Sequence, residues 1–227
     1  MELVKDLSSK GQSVIIYANP GMGKTTALSM LPGKTLIIDV DRGTSVLKDA
    51  KNVDVVRLKD DLSNLRSIVD ELKQNKHGYQ NVCLDTISEL ETAMLTMYGR
   101  TGKNDGAPEL SHYGKAKFKI SDYIRELRNL VEGGTNIVFT AWEQSKDVVL
   151  PSGEKYSQVM PMIRAASEIC GMVDVVAKLE MKTLEDKTQK RYFRLQSDTV
   201  SFAKDRINKR TWCEIKELIT CNTIQAK

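Results

Sequence analysis

The stretch that decides the fold is residues 13–26, which read SVIIYANPGMGKTT. Its first part is apolar and β-branched, which predicts a buried strand. The chain then passes through a proline and two glycines into a Lys-Thr-Thr run that can begin a helix. A strand, a glycine-rich turn, Lys-Thr and a helix, in that order, predict a P-loop, which binds phosphate groups.

The residue types in this turn suit a triphosphate. Gly21 and Gly23 allow backbone N–H groups to approach the ligand and allow positive φ angles. Lys24 is expected to place its charge on the β- and γ-phosphates, and Thr25 to give its hydroxyl to Mg²⁺. We therefore predict a site for ATP and Mg²⁺. Its binding residues are expected to be Asn19, Pro20, Gly21, Met22, Gly23, Lys24, Thr25, Thr26 and Thr140.

Ala18 departs from the pattern G-x-x-x-x-G-K-[ST], which has glycine at this position. The alanine is harmless if its φ angle is negative, and costs roughly 1–3 kcal/mol of strain if the angle is positive. The plainer alternative for the whole stretch is an ordinary glycine turn before a helix. The conformation of Ala18 is therefore a direct check on the prediction.

The composition fits one α/β domain over residues 1–227, with residues 1–12 as an N-terminal arm and residues 173–227 as a β-rich C-terminal part. No apolar run approaches the ~20 residues of a membrane span, and the N-terminus lacks the form of a signal peptide, so we expect a cytoplasmic protein with no membrane partner. The four cysteines lack metal-site or disulfide spacing. A net charge of +4 is compatible with a polyanionic partner and identifies none.

Apolar strands alternate with helices along the chain, which predicts a mostly parallel central sheet flanked by helices, followed by an antiparallel β-rich extension. The expected strands are 14–17, 35–39, 53–57, 81–86, 136–142, 173–181, 191–196 and 200–203. The expected helices after the P-loop are 61–73, 87–98, 113–131, 163–170 and 214–219. Long polar loops are expected at 99–111 and 143–160, the second with a hairpin tip at residues 151–153.

Ligands of parallel sheets bind beyond the carboxyl ends of the strands, where this chain places several aspartates. Asp85 has the form of a Walker B acid, which would hold the water shell of Mg²⁺ and accept from the Thr25 hydroxyl; a helix cap is the alternative. Hydrolysis also needs a carboxylate that orients water. The candidates are Asp41, Asp39 and Glu143. We favour Asp41, which follows the second strand, although it could be an ordinary turn residue.

Five blocks of sequence occur together in the order of a known family. They are YANPGMGKTT at 17–26, LIIDVDRG at 36–43, VCLDTI at 82–87, IVFTAWE at 137–143 and AKDR at 203–206. Together they resemble the phage-encoded RecA-like P-loop ATPases, which are often described only as AAA-family or nucleotide-binding proteins. That family is associated with single-strand annealing and homologous recombination. The resemblance covers about residues 13–212.

The resemblance implies a RecA-like fold and assigns roles to single residues. The catalytic acid of the family, usually Glu, falls on the shorter Asp41, and the His of its sensor strand falls on Trp142. Lys204 and Arg206 fall where basic residues reach the nucleotide of a neighbouring subunit; a solvated basic turn is the alternative. The implied catalytic set is Lys24, Asp41, Asp85, Lys204 and Arg206, with Thr25 and Asp85 at the metal.

The loops 99–111 and 143–160 fall on the DNA-contacting loops of the family. The resemblance also implies that the protein acts in a phage or bacterial host cytoplasm. The residues expected to meet phosphates or bases are Arg100, Lys103, Lys146, Lys155, Tyr156, Arg164 and Trp142. Simple solvated loops are the alternative.

Three functions follow from these patterns. The first is a DNA-stimulated ATPase that assembles as a filament or ring on single-stranded DNA and promotes annealing or homologous recombination, with a single-strand-binding protein as a candidate partner. The second is a P-loop kinase of a nucleoside or nucleotide. The third is a nucleotide-gated DNA-binding module with little turnover.

Overall fold

The computed structural model describes residues 11–74 and 77–219. The strands are β1 Ser13–Tyr17, β2 Thr35–Asp39, β3 Val53–Arg57, β4 Asn81–Asp85, β5 Asn136–Ala141, β6 Glu143–Val149, β7 Lys155–Pro161, β8 Val175–Thr183, β9 Gln189–Arg194, β10 Lys204–Asp205 and β11 Trp212–Cys213. The α-helices are α1 Lys24–Ser29, α2 Leu65–Lys73, α3 Ile87–Thr101, α4 Leu110–Arg128 and α5 Ala166–Met172. Short 3₁₀ helices span Gly43–Leu47, Asn129–Gly133 and Ile215–Glu217.

A nine-stranded sheet forms the centre, in the order β11-β9-β8-β1-β5-β4-β2-β3, with β10 paired to β8. The strands β1 to β5 and β8 run parallel, as the sequence predicts, and β9, β10 and β11 are antiparallel to their neighbours. Asp39 lies opposite Asp85 in the register, and Ile16 lies opposite Thr140. The carboxyl ends of β1, β2, β4 and β5 therefore meet at one edge of the sheet.

The central strand β1 is buried along its whole length because apolar residues cover both faces of the sheet. Ile15 and Tyr17 face a cluster that includes residues of α2, α3, α4 and α5. Val14 and Ile16 face a second cluster, formed with α1 and the C-terminal strands. The P-loop thus follows directly from a strand that is packed on both faces by the core.

The two predicted long loops differ from the structure. Residues 143–161 form a β-hairpin, β6–β7, whose tip at residues 150–154 includes the predicted turn. The loop before α4 shrinks to residues 102–109, because α3 continues through Gly99. A Cβ atom at Gly99 would lie 2.2 Å from the carbonyl oxygen of Gly106, so the glycine here allows close packing of the next segment.

Other ends differ by a few residues. The helix α4 begins before residue 113 because Glu109 caps it in a capping box with His112. The strand predicted at 200–203 appears instead as β10. Residues 1–10 of the predicted arm, and residues 220–227, lie outside the described residues. Within the described ranges, no helix is both long enough and apolar enough to cross a membrane.

Tyr17 joins the sheet to the hairpin. Its side chain is fully buried, and its hydroxyl donates to the carbonyl oxygen of Phe202 at 2.7 Å and lies 3.2 Å from that of Val159. We expect Tyr17→Phe to lower the free energy of unfolding by about 1–2 kcal/mol, since the buried acceptors lose their donor. Urea denaturation measures this. Tyr156→Phe, which removes a hydroxyl that bonds to no described residue, should leave the midpoint unchanged; equal effects of both would contradict the assignment.

Candidate functional site

The P-loop occupies residues 18–23, between β1 and α1. Gly21 and Gly23 have φ angles of 80° and 95°, the left-handed region that favours glycine. Ala18 is not among the described residues with positive φ, and its side chain is buried in the core. The departure from the glycine pattern therefore introduces no backbone strain.

Lys24 lies inside the loop rather than on its surface. Its side chain is 7% exposed, and its Nζ donates to the carbonyl oxygens of Ala18 at 2.9 Å and Asn19 at 3.1 Å. Burial lowers the pKa of Lys24, and the negative charges of Asp85 and Asp41 partly offset this. The loop thus holds a cation at its centre, close to where phosphate oxygens would sit.

Asp85 joins three elements at the edge of the sheet. Its carboxylate is fully buried and accepts from the hydroxyl of Thr25 at 2.7 Å and from that of Thr140. Burial raises the pKa of Asp85, while the two hydroxyl donors lower it. The peptide bond between Asp85 and Thr86 is cis. The cap of α3 is Thr86, which accepts from the backbone N–H of Glu89, so the alternative of Asp85 as a helix cap does not hold.

The pair of Thr25 and Asp85 suits Mg²⁺, a hard cation that prefers oxygen ligands and retains several waters. Among the described residues, no cluster of three or more His, Cys, Asp or Glu side chains could hold a metal unaided. The hydroxyl and the carboxylate would therefore supply part of a coordination shell that phosphate oxygens and water complete. The donor set fits the cation that accompanies a nucleoside triphosphate.

The three candidate catalytic acids have different surroundings. Asp39 is fully buried and accepts from the hydroxyl of Thr44 at 2.6 Å, so it supports the loop after β2. Asp41 is exposed, and its Oδ1 accepts from the backbone N–H of Gly43 at 2.9 Å, as a turn aspartate does. Glu143 accepts from the side-chain amide of Asn19 in the P-loop.

Asp41 also lines a cleft that the sequence did not indicate. This α3 cleft lies between the loops after β2 and β3 and one face of α3, and it contains the carboxylate of Glu89. Burial, and then the charge of Asp41, raise the pKa of Glu89. No side chain in the described part of the chain hydrogen-bonds to this carboxylate. Its only sequence signal is its position in the first turn of the helix that follows Asp85.

A hydrogen bond connects the P-loop to the hairpin. The Nδ2 of Asn19 donates to the Oε1 of Glu143 at 2.5 Å, and Glu143 is the first residue of β6. The preceding Trp142 is half-buried, and its backbone N–H donates to the hydroxyl of Ser88 at 2.9 Å. The base of the hairpin therefore contacts both the P-loop and α3.

Lys204 and Arg206 lie far from the P-loop of their own chain. Lys204 pairs with Val176 at the amino end of β8, the opposite edge of the sheet from the P-loop. Both side chains donate to the carbonyl oxygen of Gly171, at 3.3 and 2.8 Å respectively. Burial and the charge of Arg206 lower the pKa of Lys204. Within one chain, the structure does not bring these residues to the site.

Apart from Trp142 and Arg164, the expected DNA-contacting residues occupy three places. Lys146, Lys155 and Tyr156 lie on the hairpin. Arg100 lies in the last turn of α3 and lines the α3 cleft, and Lys103 is exposed in the following loop.

Arg164 is engaged within the fold. Its guanidinium lies 4.2 Å from the ring centroid of Tyr113, and its Nε lies 3.2 Å from the carboxylate of Glu91. Arg164 is therefore less available to a polyanion than Arg100, Lys103, Lys146 and Lys155, which are exposed and form no ion pair with a described residue.

A family model described as an AAA domain matches residues 10–207. A search of curated proteins returned no match. The matched range contains the P-loop, the Thr25–Asp85 pair and the edge of the sheet where they meet, and it covers most of the chain. The chain therefore belongs to the AAA domain family of nucleotide-binding ATPases.

Proposed function

We propose that this protein is a RecA-like ATPase that binds ATP with Mg²⁺, hydrolyses it in response to single-stranded DNA, and promotes annealing or homologous recombination. The observation that carries the proposal is a chain of two hydrogen bonds. Lys24 donates to the carbonyl oxygen of Asn19, and the side chain of Asn19 donates to Glu143. These bonds place the P-loop in direct contact with the base of a hairpin that carries Lys146, Lys155 and Tyr156. A nucleotide and a DNA strand would thus act on connected parts of the chain.

Hydrolysis would use Lys24, the Thr25–Asp85 pair and two carboxylates of the α3 cleft. Lys24 would exchange the carbonyl oxygens of Ala18 and Asn19 for phosphate oxygens, which adds charge stabilisation where negative charge develops. Mg²⁺ held by Thr25 and Asp85 would neutralise the phosphates. Asp41 and Glu89, in the same cleft, would orient the attacking water and accept its proton as the bond to ADP breaks.

Assembly explains the position of Lys204 and Arg206. At the amino edge of the sheet they can reach only the nucleotide of another copy, which makes the contact between copies head-to-tail and generates a ring or filament. Charge supplied in this way stabilises the transferring phosphoryl group only after assembly. The hydrolysis rate per protein molecule should then rise with protein concentration.

One observation favours kinase activity as a second candidate. The α3 cleft carries Arg42, Lys59 and Arg100 beside Asp41, so a phosphate-bearing acceptor could lie next to the γ-phosphate. Arg42 is already paired with Asp60, which weakens this interpretation.

The test is ATP hydrolysis with and without single-stranded DNA over a range of protein concentrations. We expect stimulation by DNA and a fall of about 100-fold or more for Lys204→Ala with ATP binding retained. Lys51→Ala, an exposed lysine without an ion pair to any described residue, is the matched control. The proposal would be refuted if the hydrolysis rate per protein molecule were the same with and without DNA, at all protein concentrations and in Lys204→Ala. Phosphate transfer to a nucleoside would establish the kinase, and ATP-dependent DNA retention without hydrolysis would establish the gated module.

A further inference from the structure

A second cleft, which we call the α1–β9 cleft, adjoins the P-loop directly. It lies between α1, β9 and the 3₁₀ helix Ile215–Glu217. Beside the glycines of the P-loop, its polar and apolar lining includes Thr26, Met30, Gln189, Arg191, Glu214 and Lys216. No residue of the described P-loop lines the α3 cleft, but Asp41 of that cleft is close enough for its charge to act on Lys24.

The order of groups along the P-loop gives the bound triphosphate a direction. Lys24, Thr25 and Asp85 mark where the β- and γ-phosphates would lie. Asp41 and Glu89, which we propose to orient the attacking water, would then lie on the side of the γ-phosphate. A triphosphate is an unbranched chain, so its α-phosphate must lie at the end away from the γ-phosphate, past Thr26. The nucleoside then enters the α1–β9 cleft, which begins at Thr26.

Arg191 reaches this cleft from a distant part of the sequence. Its Nε donates to the carbonyl oxygen of Met22 at 2.9 Å. A Cβ atom at Gly23 would lie 3.3 Å from the same Nε, so the guanidinium rests directly over Gly23. Glycine at this position thus has two functions. It permits the φ angle of 95°, and it leaves space for the side chain of Arg191.

The chemistry of the cleft suits a nucleobase. Arg191 has no carboxylate partner among the described residues, whereas its neighbour Lys190 is paired with Glu214. A guanidinium is planar and weakly hydrated, and it stacks on aromatic rings. Met30, on α1, is 38% exposed and supplies an apolar, polarisable surface in the same cleft.

We propose that the α1–β9 cleft binds the nucleoside half of the nucleoside triphosphate, with Arg191 and Met30 as the side chains that contact the base. This rests on the proposed function, and it assigns to the antiparallel strands a direct part in ligand recognition. The affinity of the protein for ATP over bare phosphates comes from this cleft, while Lys24 acts on both ligands alike.

The experiment compares MgATP with magnesium tripolyphosphate by isothermal titration calorimetry. We expect Arg191→Ala to weaken ATP binding by about tenfold and tripolyphosphate binding by less than about twofold. Met30→Trp, which fills the cleft from α1, should give the same pattern without touching the hydrogen bond to Met22. Lys182→Ala, on the opposite face of the β8–β9 pair, is the control and should change neither affinity.

Three results would overturn the proposal. An equal loss of ATP and tripolyphosphate in Arg191→Ala would mean that Arg191 acts on the phosphates or holds the P-loop. Unchanged ATP affinity in both cleft variants would place the nucleoside elsewhere, and the P-loop function would stand. If the wild-type protein binds neither ligand, the proposed function itself fails, which is a distinct outcome. Melting curves of each variant exclude unfolding as the cause.

Discussion

Replacing Lys24 with alanine is expected to reduce ATP hydrolysis by at least about 100-fold, since the only cation inside the described P-loop is removed from the developing charge. Binding of ATP should weaken as well, because the same ammonium group contacts the phosphates in the ground state. The measurement is steady-state hydrolysis together with titration of MgATP.

The stability of this variant must be measured alongside its activity. Lys24 satisfies the carbonyl oxygens of Ala18 and Asn19, so its loss also lowers the free energy of unfolding, by about 1–3 kcal/mol. A melting curve shows whether the variant is folded at the assay temperature. Lys48→Ala, an exposed lysine, should match the wild type in both measurements. Wild-type hydrolysis by folded Lys24→Ala would show that the P-loop is not the site.

Asp85→Asn is expected to separate stability from activity. The amide preserves the volume of the side chain but removes a buried negative charge whose pKa is raised mainly by burial. Unfolding of the ligand-free protein should therefore require more free energy than in the wild type, while hydrolysis falls by about 100-fold or more through loss of a cation ligand. Urea denaturation and steady-state hydrolysis measure the two effects.

The free energies of unfolding of the wild type and of Asp85→Asn should depend differently on pH. Because the pKa of Asp85 is raised in the folded state, the folded protein retains a proton that the unfolded chain releases near pH 3.8. Wild-type stability therefore falls as the pH rises from 3.8 through the raised pKa, and Asp85→Asn lacks this loss. Denaturation midpoints of the two proteins should diverge across that window. Parallel midpoints would show that ionisation of Asp85 costs the fold nothing.

The part of the site that local sequence determines could be predicted. The φ angles of Gly21 and Gly23 and the Lys24–Thr25 pair depend on a few adjacent residues. The meeting of Asp85 with Thr25 followed from a general property of parallel sheets, that their carboxyl ends share one edge.

The rest depends on contacts between distant segments. Arg191 reaches Met22 from 169 positions away, through an antiparallel strand whose register no local pattern reveals. Glu89 faces the α3 cleft because of how α3 packs, which its spacing alone did not indicate. The sequence of the hairpin β6–β7 predicts a loop because its exposed strands are polar, and the pairing between the strands supplies the regularity.

The hydrogen bond between Asn19 and Glu143 has a thermodynamic consequence for both ends of the contact. A ligand that binds the P-loop more tightly when this bond is broken raises the population of molecules in which the hairpin is not bonded to Asn19. By linkage, a second ligand that binds the hairpin in those molecules must change the affinity of the P-loop for the first ligand by the same factor. A factor of about threefold to tenfold needs only about 0.7–1.4 kcal/mol, which a single hydrogen bond supplies. If the hairpin binds DNA as we propose, nucleotide and DNA would each change the affinity of the protein for the other.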